Sequence, residues 1–166
     1  MMSKKVMFIT QSAVIAAIYV VLILLFQPFS FGEIQVRVAE ALTVLPFFTP
    51  AAIPGVTIGC LIGNLIGGNV MDMIFGTLAT LIGAVVSYAV RKNQYLVPLP
   101  PIVSNALIIP WVLKYAYELP FSIPFLMLTV SIGEVLSCGI LGLVLLTALK
   151  SCRGINWTPW KTNTAQ

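Results

Sequence analysis

From Val6 to Phe26 the chain runs without one charged residue. A helix rises about 1.5 Å per residue, so about 20 apolar residues cross the ~30 Å hydrocarbon core of a bilayer. This run is therefore long enough to span a membrane as a single helix. That limits the fold severely, because a segment in lipid must satisfy its backbone polar groups internally. Lys4 and Lys5 precede the run, as they would in a signal peptide. It is longer than the apolar part of a signal peptide, and no small-residue cleavage site follows, so it reads as a retained first helix.

Similar runs recur along the chain. Helices are expected over 7–26, 38–48, 51–67, 73–90, 102–117 and 125–149, in a single transmembrane domain covering 1–166 with a polar tail over 150–166. Only 8% of the residues are charged, against about 25% in an average soluble domain. The expected fold class is all-α integral membrane: a compact bundle of six transmembrane helices. The segment over 38–48 is too short to cross unaided at the α-helical rise, so it must be tilted or continuous with its neighbour.

Lys4, Lys5, Arg91, Lys92, Lys150, Arg153 and Lys161 all fall on one side of a six-helix arrangement. The positive-inside rule makes that side cytoplasmic and places both termini there. The net charge of +4 is thus a topology signal, and nucleic acid is not an expected partner. Trp157 and Trp160 in the tail suit a lipid–water interface. The segment around Glu33–Glu40 and the turns near 68–72 and 118–124 then lie outside.

Several chemistries are disfavoured. Histidine is absent, and Cys60, Cys138 and Cys152 have no metal-type spacing, so no metal or cofactor is expected. No phosphate-cradling Gly-x4-Gly-Lys loop occurs. The chain does not read as an enzyme.

What remains are polar groups in apolar surroundings. An ionisable residue near the bilayer centre costs about 2.5–3.5 kcal/mol on insertion scales, and it normally faces a cavity or a partner. Glu134 is the clearest case, with Ser131, Ser137 and Cys138 on the same helical face. It is either a ligand contact or a carboxyl bonded to a neighbouring helix. Asn64, one turn from Cys60, and Asn105 need partners that could be a helix or a ligand. Trp111 and Tyr115 lie beyond the kink expected at Pro110, as interface aromatics or as a stacking wall. Gln35, Arg37 and Glu40 stand among the apolar segments, where Arg37 and Glu40 either pair with each other or line a site. Gly55, Gly59, Gly63 and Gly67 give one face of the third helix no side chains, which suits close packing. Ala13 and Ala17, with Ala16 beside them, form a weaker stripe on the first helix. Together these groups suggest an outward-opening pocket for a small polar molecule.

Gln35-Val-Arg37-Val-Ala-Glu40-Ala-Leu-Thr-Val-Leu-Pro46, Pro54-Gly55, Gly59-Cys60-Leu-Ile-Gly-Asn64, Asp72-Met-Ile-Phe-Gly76-Thr-Leu-Ala-Thr80 and Gly133-Glu134 resemble the QueT family. The resemblance covers nearly the whole chain. It implies the S component, or substrate-binding subunit, of an energy-coupling factor transporter for queuosine precursors, resident in the cell membrane. The implied ligand is a 7-deazaguanine base: an aminomethyl or cyano precursor, or queuine. The implied partners are a transmembrane T component and two cytoplasmic ATPases, with the loaded subunit toppling to carry its pocket inward. Ala13 and Ala17 would dock on the T component. Glu134 would accept from the ring N–H and exocyclic amine of the base, and Asn105 or Asn64 would donate to its carbonyl. Trp111 or Tyr115 would stack on the ring. Asp72, Glu40 or Glu33 would receive a cationic substituent, with Gln35, Arg37 and Glu40 at the rim. The alternatives are an S component for another vitamin-like compound, a membrane-embedded enzyme, or a subunit that only supports assembly.

Overall fold

A computed structural model describes residues 3–30 and 36–152. Helix α1 spans Lys4–Leu25, and a short helical turn, Gln27–Ser30, follows it. A 3-10 helix, α2, spans Val38–Phe47, and α3 spans Ala52–Gly67. Then come α4 (Asp72–Ala89), α5 (Leu99–Tyr115) and α6 (Ile123–Ser151). The expected all-helical class holds, and no strand occurs among the described residues.

Local chemistry explains several boundaries. α5 begins three residues before the expected Ile102, because Pro100 and Pro101 sit in its first turn, where backbone N–H groups lack intrahelical partners anyway. Ser122 precedes α6 in an extended conformation, with Pro124 in the first turn. The α5–α6 turn passes through Glu118 at φ 52°, a left-handed conformation uncommon outside glycine. Lys114 Nζ secures that turn by donating to the carbonyls of Leu119 (3.3 Å) and Phe121 (3.0 Å).

The segment that looked too short to cross lies in the middle of the bundle. Every residue from Ala39 to Pro46 is buried. α2 packs against α1, α3, α4 and α6. As a 3-10 helix its ten residues reach about 20 Å, against about 15 Å for an α-helix of the same length. Ala39, Leu42 and Leu45 of α2 join Ile15, Tyr19 and Ile23 of α1 and Val56 and Cys60 of α3 in the largest apolar cluster. A second cluster, Ile109, Leu113, Leu126 and Val130, ties α5 to α6.

The glycine stripe of α3 faces α1. A Cβ at Gly59 would lie 2.6 Å from Tyr19 Cβ, and one at Gly55 would lie 2.9 Å from Ile15 Cβ. These glycines let the two helices approach backbone to backbone. Ala16 is buried on this seam, whereas Ala13 and Ala17 face outward. The outer surface is apolar, with Val14, Ile18, Leu65, Leu128 and Ile132 among its exposed residues. α1, α4 and α6 are long and apolar enough to cross a bilayer, with mean hydropathies of 2.4, 1.5 and 2.1. The chain is a multi-pass membrane protein.

Candidate functional site

The buried polar groups form one continuous system from one end of the bundle to its middle. At the end that holds the α3–α4 and α5–α6 turns, Arg37 reaches from the start of α2 to the head of α4. It donates to both Asp72 oxygens, at 3.2 and 3.1 Å. Both side chains are almost fully buried. The Tyr117 hydroxyl, just past α5, donates to Asp72 Oδ2 at 3.0 Å. Burial, and then the adjacent Asp72 carboxylate, push the Tyr117 phenol up to about 12, so it remains a donor. Asn69 accepts from the Asp72 backbone N–H at 3.0 Å and donates to the Ala116 carbonyl at 3.4 Å. Gly76 lies directly beneath: a Cβ there would come within 2.9 Å of Asn64 Nδ2 and 3.3 Å of Asp72 Oδ1.

Asn64 continues the system inward. Its Nδ2 donates to the Asp72 carbonyl at 3.0 Å and to Cys60 Sγ at 3.3 Å. The Thr80 hydroxyl donates to Glu40 Oε1 at 3.0 Å and lies 3.3 Å from Cys60 Sγ. The Tyr19 hydroxyl donates to the same Glu40 oxygen at 2.5 Å. On the other side of α2, the Cys138 thiol lies 3.2 Å from Glu134 Oε2 and 3.3 Å from the Glu40 carbonyl. Glu134 sits about 16 Å along α6 from Ile123.

Two stretches of π-helix border this system, Asp72–Gly76 in α4 and Val135–Leu141 in α6. Such turns are rare and concentrate at functional sites. Each widens the helix where it presents a polar group: Asp72 in one, Ser137 and Cys138 in the other.

Buried polar atoms ordinarily have partners, and those that lack one ask for an explanation. Here Glu40 Oε2, Asn105 Oδ1 and Nδ2, and Ser137 Oγ have no hydrogen-bond partner among the described residues. Asn64 Oδ1 and Thr77 Oγ1 are in the same condition nearer the end of the bundle. Asn105 faces the Glu134 carboxylate from α5, near enough to act on it although neither amide atom makes a hydrogen bond of ordinary length. Glu40, Glu134 and Cys138 each place one ligating atom within 4.8 Å of the others, a spacing that a metal ion could span. The mixed donor set around Glu134 offers carboxylate acceptors, an amide with both polarities and a hydroxyl. That set suits a compact heterocycle with several hydrogen-bonding edges.

The structure brings together Glu134, Asn105 and Glu40 in the middle, and Arg37, Asp72 and Asn64 towards the end. Glu40 was expected at a rim, yet it is wholly buried in the interior. Arg37 pairs across the bundle with Asp72. Gln35 lies outside the described residues, as do Glu33, Arg153, Trp157, Trp160 and Lys161. Trp111 and Tyr115 stand apart from the buried system. They stack on each other, with ring centroids 6.2 Å apart and planes 9° from parallel. They are half or more exposed and line an outward-facing groove of about 480 Å³ with Met71, Phe75 and Leu107.

Tyr19, Thr80 and Tyr117 escaped the sequence reading as site residues, and Ser137 entered it only as a neighbour of Glu134 on one helical face. Tyr19 carried one usable signal: it sits at i+4 from Ile15 and i−4 from Ile23, on the face that meets the glycine stripe.

A profile described as the QueT transporter family matches residues 9–151. The chain belongs to the QueT transporter family. One curated member, the queuosine precursor transporter QueT of Lactococcus lactis subsp. cremoris (strain MG1363), is 39% identical over 84 residues, which is 49% of this chain and 50% of that one. The chain thus spans about half the length of that QueT relative in the match. No solved structure matches.

Proposed function

We propose that this QueT-family chain is the S component of an energy-coupling factor transporter and takes up a queuosine precursor, a 7-deazaguanine base. The observation that carries the reading is the set of unpartnered buried atoms on Glu40, Asn105 and Ser137 around Glu134. Family membership and the name of the Lactococcus relative supply the ligand class. Glu134 accepts from the ring N–H and the exocyclic amine together, the pairing an acidic side chain makes with base donors. Asn105 donates to the ring carbonyl. Tyr117, Arg37, Asp72 and Asn64 close the pocket on its outer side. Trp111 and Tyr115 form an aromatic lining beside the mouth, where a flat base can stack during entry.

The end bearing Lys4, Lys5, Arg91, Lys92 and Lys150 is cytoplasmic under the positive-inside rule, so the Arg37–Asp72 end faces outward. Ala13 and Ala17 expose small side chains on the outer face of α1, a surface that suits close helix contact with a T component. Two cytoplasmic ATPases supply the energy, and the chain itself performs no catalysis. Titration of the purified protein with 7-deazaguanine bases tests the reading. Saturable binding that is lost in Glu134→Gln supports it. Absence of saturable binding, with tight binding of an unrelated vitamin, refutes it.

A further inference from the structure

The charges of the interior bear on which deazaguanine the site takes. Among the described residues, the buried charged side chains are Arg37, Glu40, Asp72 and Glu134. Arg37 engages both oxygens of Asp72. Glu40 and Glu134 take part in no ion pair among the described residues. They nevertheless lie close together, with a ligating oxygen from each within 4.8 Å. Two carboxylates this near each other in a low-dielectric interior repel, so both stay ionised only when a cation joins them, and otherwise one takes up a proton.

The partners of Glu40 point the same way. Its Oε1 accepts from two neutral hydroxyls, those of Tyr19 and Thr80. These fix the orientation of the carboxylate and leave Oε2 buried and empty-handed. A neutral base read by Glu134 and Asn105 leaves that oxygen unsatisfied. A base with an ammonium substituent supplies both the missing donor and the missing charge.

A metal ion is the competing occupant of Glu40, Glu134 and Cys138. Cys138 argues against it, because its thiol lies 3.2 Å from Glu134 Oε2 and 3.3 Å from the Glu40 carbonyl and donates its one proton to either of them. Metal ligation requires the thiolate and would remove that donor, whereas an ammonium leaves the thiol in place.

We infer that Glu40 Oε2 receives a positive charge carried by the ligand, so that the site takes amine-bearing 7-deazaguanines in preference to neutral ones such as the nitrile. The inference rests on the proposed function, and one set of titrations separates the two. Full-length protein in nanodiscs is titrated calorimetrically with 7-aminomethyl-7-deazaguanine, 7-cyano-7-deazaguanine and unsubstituted 7-deazaguanine. The aminomethyl base is expected to bind at least about tenfold more tightly than either neutral base, the scale of one charge-assisted contact. In Glu40→Gln the preference should shrink to within about threefold, mainly through weaker aminomethyl binding. Equal binding of all three bases by the wild type, or tighter binding of the nitrile, overturns the inference and leaves the proposed function standing. A preference that persists in Glu40→Gln also overturns it. Failure of all three bases to bind refutes the proposed function itself. The wild-type comparison decides the question even if Glu40→Gln does not fold. Displacement of the aminomethyl base by stoichiometric zinc would hand the trio to a metal and overturn the inference.

Discussion

Replacing Gly59 by alanine tests whether the α1–α3 seam sets the position of Glu40. A Cβ at residue 59 would lie 2.6 Å from Tyr19 Cβ, 2.9 Å from Tyr19 Cγ and 3.1 Å from the Ala16 carbonyl. Ordinary contact begins near 3.4 Å. Tyr19 Cβ is fixed to its backbone, so relief requires α1 to move away by most of an ångström. Overpacking of this kind costs about 1–3 kcal/mol. Alanine returns up to about 1 kcal/mol of helix propensity. The expected net loss is about 0–2 kcal/mol after the propensity gain is subtracted, and each kcal/mol corresponds to about 2–4 °C in a chain of this size. Gly63→Ala is the control. There the new Cβ meets Ile23 Cδ1 at 2.5 Å, with Ile23 Cβ already at 3.4 Å. A methyl at the end of a flexible side chain can rotate away, so this variant should be near neutral. Thermal unfolding in detergent compares the two. Because Tyr19 holds Glu40, Gly59→Ala should also weaken ligand binding while Gly63→Ala leaves it intact. The reasoning fails if Gly63→Ala is as damaging as Gly59→Ala, or if Gly59→Ala raises the melting temperature.

Glu134→Gln should weaken deazaguanine binding by more than about tenfold, since contacts to a charged group are worth roughly 1.5–3 kcal/mol; an unchanged dissociation constant removes Glu134 from the site. Asp72→Asn removes the Asp72 carboxylate from its pair with Arg37. Breaking a buried pair costs about 3–5 kcal/mol, so the melting temperature should fall by many degrees, and an unaltered melt would contradict the pairing. Ala13→Leu should impair uptake and assembly with the T component while ligand binding stays normal, as pull-down and calorimetry on one preparation would record. Normal assembly would reject the docking face.

The helices were legible because lipid imposes a simple rule: each apolar run must close its own hydrogen bonds. The Gly55–Gly63 face was equally readable, since its four-residue spacing is a property of one helix. Its partner was not. Tyr19 meets Glu40 across 21 residues, and Arg37 meets Asp72 across 35. Such contacts depend on how helices are arranged around each other, which periodicity within a segment does not encode. The 3-10 form of α2 was hidden for the same reason, because its length answers to the helices around it. Trp111 and Tyr115 suited two environments by composition, and packing alone put them on the outer groove. Glu134 and Asn105 stood out because a charge or an amide within an apolar run is conspicuous whatever surrounds it.

The central position of α2 also bears on the order in which the protein can be made. Glu40 emerges from the ribosome after Tyr19, so one of its hydroxyl donors is already in the membrane. Thr80 comes 40 residues later, and Cys138, which donates to the Glu40 carbonyl, 98 residues later. While synthesis is under way, α2 carries a carboxylate whose shelter is only partly built. A lone carboxylate is costly in lipid, so α2 rests most cheaply at the bilayer surface until α4 and α6 arrive. The segment that lies deepest in the finished bundle is then among the last to settle into it.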